Sequence, residues 1–223
     1  MRILLIGATG MIGRRIADEA RGRGHEVTGA TRTGNEGTAA AEASDADAIA
    51  RLAAGHDAAV LTVPPPRDGS ETTGPLLAIT RGVLDGLRRA GVRRLIVVGG
   101  AGSLEAAPGV RLVDTPEFPD IYKGEALAAA EQLGVIRAEA GDLDWTYLSP
   151  PAFIEPGERT GTFRPGRSSS SPTPRGSAAS APRTTPSRWS TSWRRARPSS
   201  AASRWGTSYD GMKRQASDSS PAA

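Results

Sequence analysis

The sequence predicts an α/β protein with a doubly wound parallel sheet, and three observations carry the prediction. Short aliphatic runs alternate along the chain with stretches whose apolar residues recur every three or four positions. These are the signatures of buried strands and amphipathic helices. Each aliphatic run leads into a glycine- or proline-rich turn, and the first leads into Gly7-Ala8-Thr9-Gly10-Met11-Ile12-Gly13. Strand and helix alternating in this way build a parallel sheet with helical crossovers.

Ile3–Ile6 is the first strand. Met11–Arg23 follows as a helix with Ile12, Ile16 and Ala20 on one face, and Gly22 and Gly24 end it. Glu26–Thr31 is the second strand, which closes a βαβ opening of about 30 residues. Residues 34–45 carry little pattern. Asp45–Ala54 reads as a helix with Asp45 as N-cap. Asp57–Val63 is a third strand, leaving the sheet through Pro64-Pro65-Pro66. Leu76–Ala90 is a helix with Leu76, Ile79, Val83 and Leu87 in its stripe, closed by Gly91. Arg94–Val98 is the next strand, and Gly99-Gly100-Ala101-Gly102-Ser103 the turn after it. Residues 104–121 read as a long loop, Tyr122–Ala140 as a helix, and Trp145–Leu148 as a strand running into Ser149-Pro150.

The chain has 223 residues and no cysteine, which excludes a disulfide framework, a thiol nucleophile and a cysteine-bound metal. His25 and His56 stand in turns with no second histidine or carboxylate at ligand spacing, so no metal site is expected. The first residues lack the pattern of a secretory signal, and no apolar run approaches the roughly 20 residues of a membrane span. A cytoplasmic protein with a small-molecule substrate and no membrane partner is expected. The charge is divided: residues 1–164 hold 18 Lys+Arg and 22 Asp+Glu, whereas residues 165–223 hold 10 and 2. The basic balance belongs to the tail, so nucleic acid is not an expected partner of residues 1–164.

The glycine turn between strand and helix has the chemistry of a pyrophosphate cradle. Gly7 permits the tight exit from the strand, Gly10 lets backbone approach phosphate oxygens, and Gly13 lets the helix pack on the sheet. The helix start offers unpaired N–H groups and partial positive charge. Thr9, Met11 and Ile12 complete the cradle. The end of the second strand meets the adenosine ribose in this architecture, where an arginine suits a 2′-phosphate. Arg32 therefore favours NADP over NAD, its alternative; the other reading is a solvated loop arginine. Thr62, Val63, Pro64, Gly99, Gly100 and Ser149 stand at strand ends that would line the nicotinamide. Ser103 is either a plain loop serine or a catalytic hydroxyl.

The blocks GATGMIG, GHDAAVLTVPPP, GVRRLIVVGGAGSL and LDWTYLSPPAFIEPGERTG, in this order, resemble the atypical short-chain dehydrogenase/reductase group. Within it they are similar to NmrA-like and flavin-reductase-like NAD(P)H-binding proteins, also described as NAD-dependent epimerase/dehydratase-like. The resemblance spans residues 1 to about 164 and implies a Rossmann-like fold. It implies hydride transfer between NADP(H) and a quinone, flavin or carbonyl, or a dinucleotide-binding redox sensor without catalysis. Catalytic members of the wider superfamily use a tyrosine and a lysine four residues on. Here Tyr122 is followed directly by Lys123, and Ala126 holds the position four on. Tyr122 and Lys123 are the catalytic candidates, with Tyr122 expected to have room just before the helix.

Residues 165–223 contain 16 Ser, 9 Arg and 7 Pro and almost no aliphatic residues. As printed, this is the composition of a disordered basic tail. Trp189, Trp193 and Trp205 are unusual for such a segment, and a second reading explains them. Ser, Arg, Pro, Ala and Trp are what a GC-rich gene yields out of frame. Back-translation of Ser168–Arg194, with each codon begun at the third base of the old one, allows QLLTDAEGIGRISAEDYAVALVDELE. Ser203–Tyr209 allows FTVGYEL. The first string has a helix pattern and the second a strand pattern. On this reading the printed chain lacks the last helix and strand of its fold.

Overall fold

The structure is a computed structural model that describes residues 1–35, 37–151, 154, 157, 165–167 and 203–205. The strands are β1 (Arg2–Ile6), β2 (Glu26–Thr31), β3 (Ala39–Ala40), β4 (Ala58–Leu61), β5 (Arg94–Val98), β6 (Glu105–Ala107), β7 (Val110–Arg111), β8 (Asp144–Ser149), β9 (Pro165–Arg167) and β10 (Ser203–Trp205). The helices are α1 (Met11–Gly22), α2 (Ala46–Ala53), α3 (Thr73–Ala90) and α4 (Asp120–Glu139). The main sheet runs β3-β2-β1-β4-β5-β8-β10-β9, and only β9 is antiparallel to its neighbour. This is the doubly wound parallel architecture of a Rossmann-like fold.

The period of two in β1 sorts its side chains into the two layers. Leu4 and Ile6 join Leu61, Leu95, Val97, Trp145 and Tyr147 beneath α2, α3 and α4. Ile3 and Leu5 join Val60 and Ile96 beneath Ile16, Ala17 and Ala20 of α1. Each fully buried aliphatic side chain contributes about 1.5–3 kcal/mol. β4 is buried at every residue, whereas β8 alternates. Trp145, Tyr147 and Ser149 are buried under the three-helix layer, and Asp144, Thr146 and Leu148 on the other side are half-buried. Among the described residues, three helices cover one face and α1 alone covers the other.

Local chemistry sets the element ends. The Asp45 carboxylate accepts from the N–H groups of Asp47 and Ala48 at 2.9 and 3.1 Å, the expected N-cap. α3 begins three residues before its apolar stripe, because the Glu71 carboxylate accepts from the N–H groups of Thr73 and Gly74. Gly91 ends α3 at φ +73 in the left-handed region.

The structure corrects the sequence reading in four places. The expected loop 104–121 contains the hairpin β6–β7 and a short 3-10 turn, Leu112–Asp114, and a second such turn, Ala101–Ser103, directly precedes it. Leu104, Leu112, Val113 and Phe118 give this segment a small core of its own. The unpatterned stretch 34–45 supplies β3, two residues that pair with Ala30 and Thr31 at the sheet edge. α4 starts at Asp120, so Tyr122 lies inside its first turn rather than before it. Beyond β8 the described residues add β10, parallel to β8, and β9, three residues each, so a strand stands where the sequence reading expected the last one to be missing. The other expectations for residues 165–223, a disordered tail and a wanting helix, lie outside the described residues.

Candidate functional site

Parallel strands deliver their carboxyl ends to one edge, and the sequence-selected residues gather there. Gly7 follows β1, Arg32 follows β2, Thr62, Val63 and Pro64 follow β4, Gly99 and Gly100 follow β5, and Ser149 ends β8.

The glycine turn is closely determined. Gly7 has φ +87, its N–H donates to Ala30 O at 2.9 Å, and its carbonyl accepts from Gly10 N–H at 3.2 Å. A Cβ on Gly13 would lie 2.1 Å from the Gly7 carbonyl oxygen, so α1 can approach the turn only with glycine there. Gly10 is the N-cap of α1 and supplies no side-chain hydrogen bond, and the first turn holds no acidic residue. The N–H groups at Met11, Ile12 and Gly13 therefore start a helix with no side-chain cap, where an anion is favoured. The Arg14 Nε–H donates to Thr9 O at 2.8 Å and brings a guanidinium against the turn. This cradle fits a dinucleotide pyrophosphate.

After β2, Thr31 Oγ1 lies 2.8 Å from Thr38 Oγ1 and accepts from Gly34 N–H at 3.1 Å, which fixes the bend containing Arg32. The Asp68 carboxyl is held below its ordinary range, first by hydrogen bonds from Ser70 and least by the Arg32 charge. Asp68 stands in the loop after β4. That loop is fastened to α4. The Arg67 guanidinium donates twice to Glu125 Oε2, at 3.0 and 2.9 Å, and the Thr72 hydroxyl donates to Gly124 O at 3.4 Å.

After β5 the site rests on Tyr147. A Cβ on Gly99 would fall 1.9 Å from the Tyr147 ring, so glycine is required for the strand end to cross the tyrosine. The Tyr147 hydroxyl donates to Ala129 O at 2.7 Å and receives a backbone hydrogen bond from Gly100. Gln132 stands 3.3 Å from it and donates onward to Thr80 at 3.1 Å. Burial pushes the phenol well above its ordinary range, so Tyr147 stays protonated as a structural donor. Ser103 and Ser149, both buried, bring their hydroxyl oxygens to 3.2 Å, a pairing of β5 turn with β8 that sequence spacing does not announce.

Tyr122 and Lys123 diverge. Tyr122 is half-exposed and stands one turn before Ala126, which packs on Gly102. Lys123 Nζ lies 3.7 Å from Asp120 Oδ1, and its charge bears on Asp114. His56 Nε2 lies 2.9 Å from Thr28 Oγ1, and His25 Nδ1 lies 3.3 Å from the amino terminus. Among the described residues no cluster of His, Asp or Glu could hold a metal ion, and no helix is long and apolar enough to cross a membrane.

A family described as NAD(P)H-binding matches residues 7–181. The chain belongs to this family. Protein YwnB of Bacillus subtilis (strain 168), itself uncharacterized, is 36% identical over 176 residues, 75% of this chain and 80% of YwnB. A solved candidate exported protein from Burkholderia pseudomallei shares 40% identity at TM-score 0.76, over 92% of this chain and 98% of that one. A candidate NADH-flavin reductase from Streptococcus pneumoniae TIGR4 shares 26% identity at TM-score 0.69, over 92% and 98%. A solved candidate epimerase from Bacteroides thetaiotaomicron shares 29% identity at TM-score 0.75, over 92% of this chain and 96% of that one. Sequence reasoning missed Arg14, Tyr147 and the Arg67–Glu125 link. Their partners are set by helix start, sheet register and a contact across 58 residues.

Proposed function

We propose that the chain binds NADP(H) in preference to NAD(H) and serves hydride transfer with a small acceptor, a quinone, flavin or carbonyl. The observation that carries this reading is Arg32 at the carboxyl end of β2, on the same sheet edge as the glycine turn. When bound, the nicotinamide supplies the redox chemistry, and the protein supplies orientation and a dry pocket. Gly7, Thr9, Gly10, Met11, Ile12 and Gly13 hold the phosphates, and Arg32 holds the 2′-phosphate. Val63, Pro64, Gly99, Gly100 and Ser149 line the nicotinamide end. Tyr122, on the side of α4 that packs on the β5 turn, is the group assigned to the acceptor's proton. Lys123, engaged with Asp120, contributes charge at the rim. The pneumococcal relative, a candidate NADH-flavin reductase, supports the flavin arm of the acceptor class.

The divergence of Tyr122 and Lys123 favours a second reading, a redox sensor that binds the dinucleotide without turnover. One experiment addresses cofactor choice: titration of NADPH and NADH against wild type and Arg32→Ala. Loss of a charge-assisted phosphate contact weakens NADPH about tenfold or more and leaves NADH within about twofold. Equal wild-type affinities unchanged by the substitution would remove the NADP assignment. NADPH oxidation with a quinone, a flavin and a carbonyl separates enzyme from sensor: tight binding with no turnover favours the sensor.

A further inference from the structure

Thr62 was selected as a strand-end residue lining the cofactor, yet its hydroxyl is turned inward. Thr62 N–H donates to Ile6 O at 2.9 Å and continues the β1–β4 ladder one residue past the strand. Its Oγ1 lies 2.9 Å from Ile6 O and 3.0 Å from Gly7 O, so one hydroxyl proton serves two adjacent carbonyls of the glycine turn. The same oxygen lies 2.7 Å from where a Cβ on Gly7 would stand, so Thr62 also excludes any other residue at that position. The Gly7 carbonyl is the node of the cradle: Gly10 N–H bonds it, Gly13 packs on it, and Thr62 holds it from the β4 side.

We infer that Thr62 is a positioning residue for the pyrophosphate, acting through the Gly7 carbonyl rather than by touching the dinucleotide. The inference rests on the dinucleotide reading above and gives it a mechanism. A peptide unit has two ends. The Ile6 peptide stays in the ladder, its carbonyl on Thr62 and its Gly7 N–H on Ala30 O, so the free end lies in the next peptide: holding the Gly7 carbonyl toward β4 turns the Ala8 N–H the other way and presets the geometry that an anion must otherwise impose. The hydroxyl proton is committed to two backbone carbonyls, so its effect falls on whatever carries a pyrophosphate, irrespective of the 2′-substituent.

The test titrates NADPH, NADH and ADP-ribose against wild type, Thr62→Val, Thr62→Ala and Thr62→Ser, with a thermal melt of each. One lost hydrogen bond corresponds to roughly three- to tenfold in affinity. Thr62→Val and Thr62→Ala are expected to weaken all three ligands by a common factor in that range. Thr62→Ser, which keeps the hydroxyl, restores most of it. Adenosine, without phosphate, should bind all four chains alike; a merely structural role would weaken adenosine too and would not be rescued by serine. Unchanged affinities in both hydroxyl-free variants overturn the inference while leaving the dinucleotide reading intact. So does a loss in Thr62→Ser as large as theirs, or loss of the fold in both. A wild-type chain that binds none of the three ligands overturns the dinucleotide reading and the inference together.

Discussion

At the scale of single residues, the site depends on groups that never meet a ligand. Tyr147 joins β8, the β5 turn and α4 through one hydroxyl, and Gln132 carries the connection to Thr80 of α3. Tyr147→Phe keeps the ring against Gly99 but leaves buried polar groups at Ala129 and Gly100 without their partner. Such groups cost about 1–3 kcal/mol each when unpaired. A destabilisation of about that size is expected, read as a lower denaturant midpoint with unchanged slope. The residues legible in the sequence were those whose role is written in backbone freedom and close approach, Gly7 and Gly13. Tyr147 and the Ser103–Ser149 pair were not, because each partner lies many residues away and only sheet register brings it near.

At the scale of elements, the boundaries follow the strength of the local signal. β2 and β5 lie where their aliphatic runs place them, and α2 begins after the expected Asp45 cap. α3 starts earlier than its apolar stripe, where the Glu71 carboxylate takes the first N–H groups, and α4 starts at Asp120, directly after Pro119 and two residues before the expected Tyr122. β3 and the β6–β7 hairpin are too short to carry a period. The contact of α3 with the α4–β8 turn is charge-dependent. Arg88 pairs with Asp142 at 2.8 Å and with Asp85 at 2.9 Å, and donates to Glu139 O. The hydrogen bond from Arg88 lowers the Asp142 carboxyl to about 2. A depressed carboxylate contributes stability that is complete above the unfolded value near 3.8 and is lost as pH falls toward about 2. The pair is exposed, so the contribution is below about 1 kcal/mol. Thermal melts between pH 4 and 2 should fall less steeply in Asp142→Asn than in wild type, and parallel curves would discount the pair.

At the scale of the whole molecule, the sheet is unevenly dressed. Among the described residues only α1 covers its face, and Thr146 and Leu148 of β8 stay half-buried there. The printed sequence after residue 167 has almost no aliphatic side chains with which to finish that layer. The second-frame reading of Ser168–Arg194 supplies them as an amphipathic helix, and its FTVGYEL string coincides with the residues that form β10 beside β8. Sequencing the coding DNA checks this: an open second frame across the segment is expected. An intact printed frame matched by relatives with the same tail would sink it. A chain re-encoded in the second frame should melt several degrees higher than the present one, as a more fully covered sheet requires.

β1 has a further consequence. It pairs with β2 on one side and β4 on the other, buries both faces, and then becomes the glycine turn proposed to hold the pyrophosphate. The glycine turn continues directly from this central strand, so its geometry is tied to the pairing at the centre of the sheet. Occupancy and global unfolding are therefore coupled by mass action, and saturating dinucleotide at a hundred times its dissociation constant adds about 2.7 kcal/mol to the folded state. In a cell, the size of the nicotinamide dinucleotide pool would set how long this chain survives, whether or not it ever turns over an acceptor.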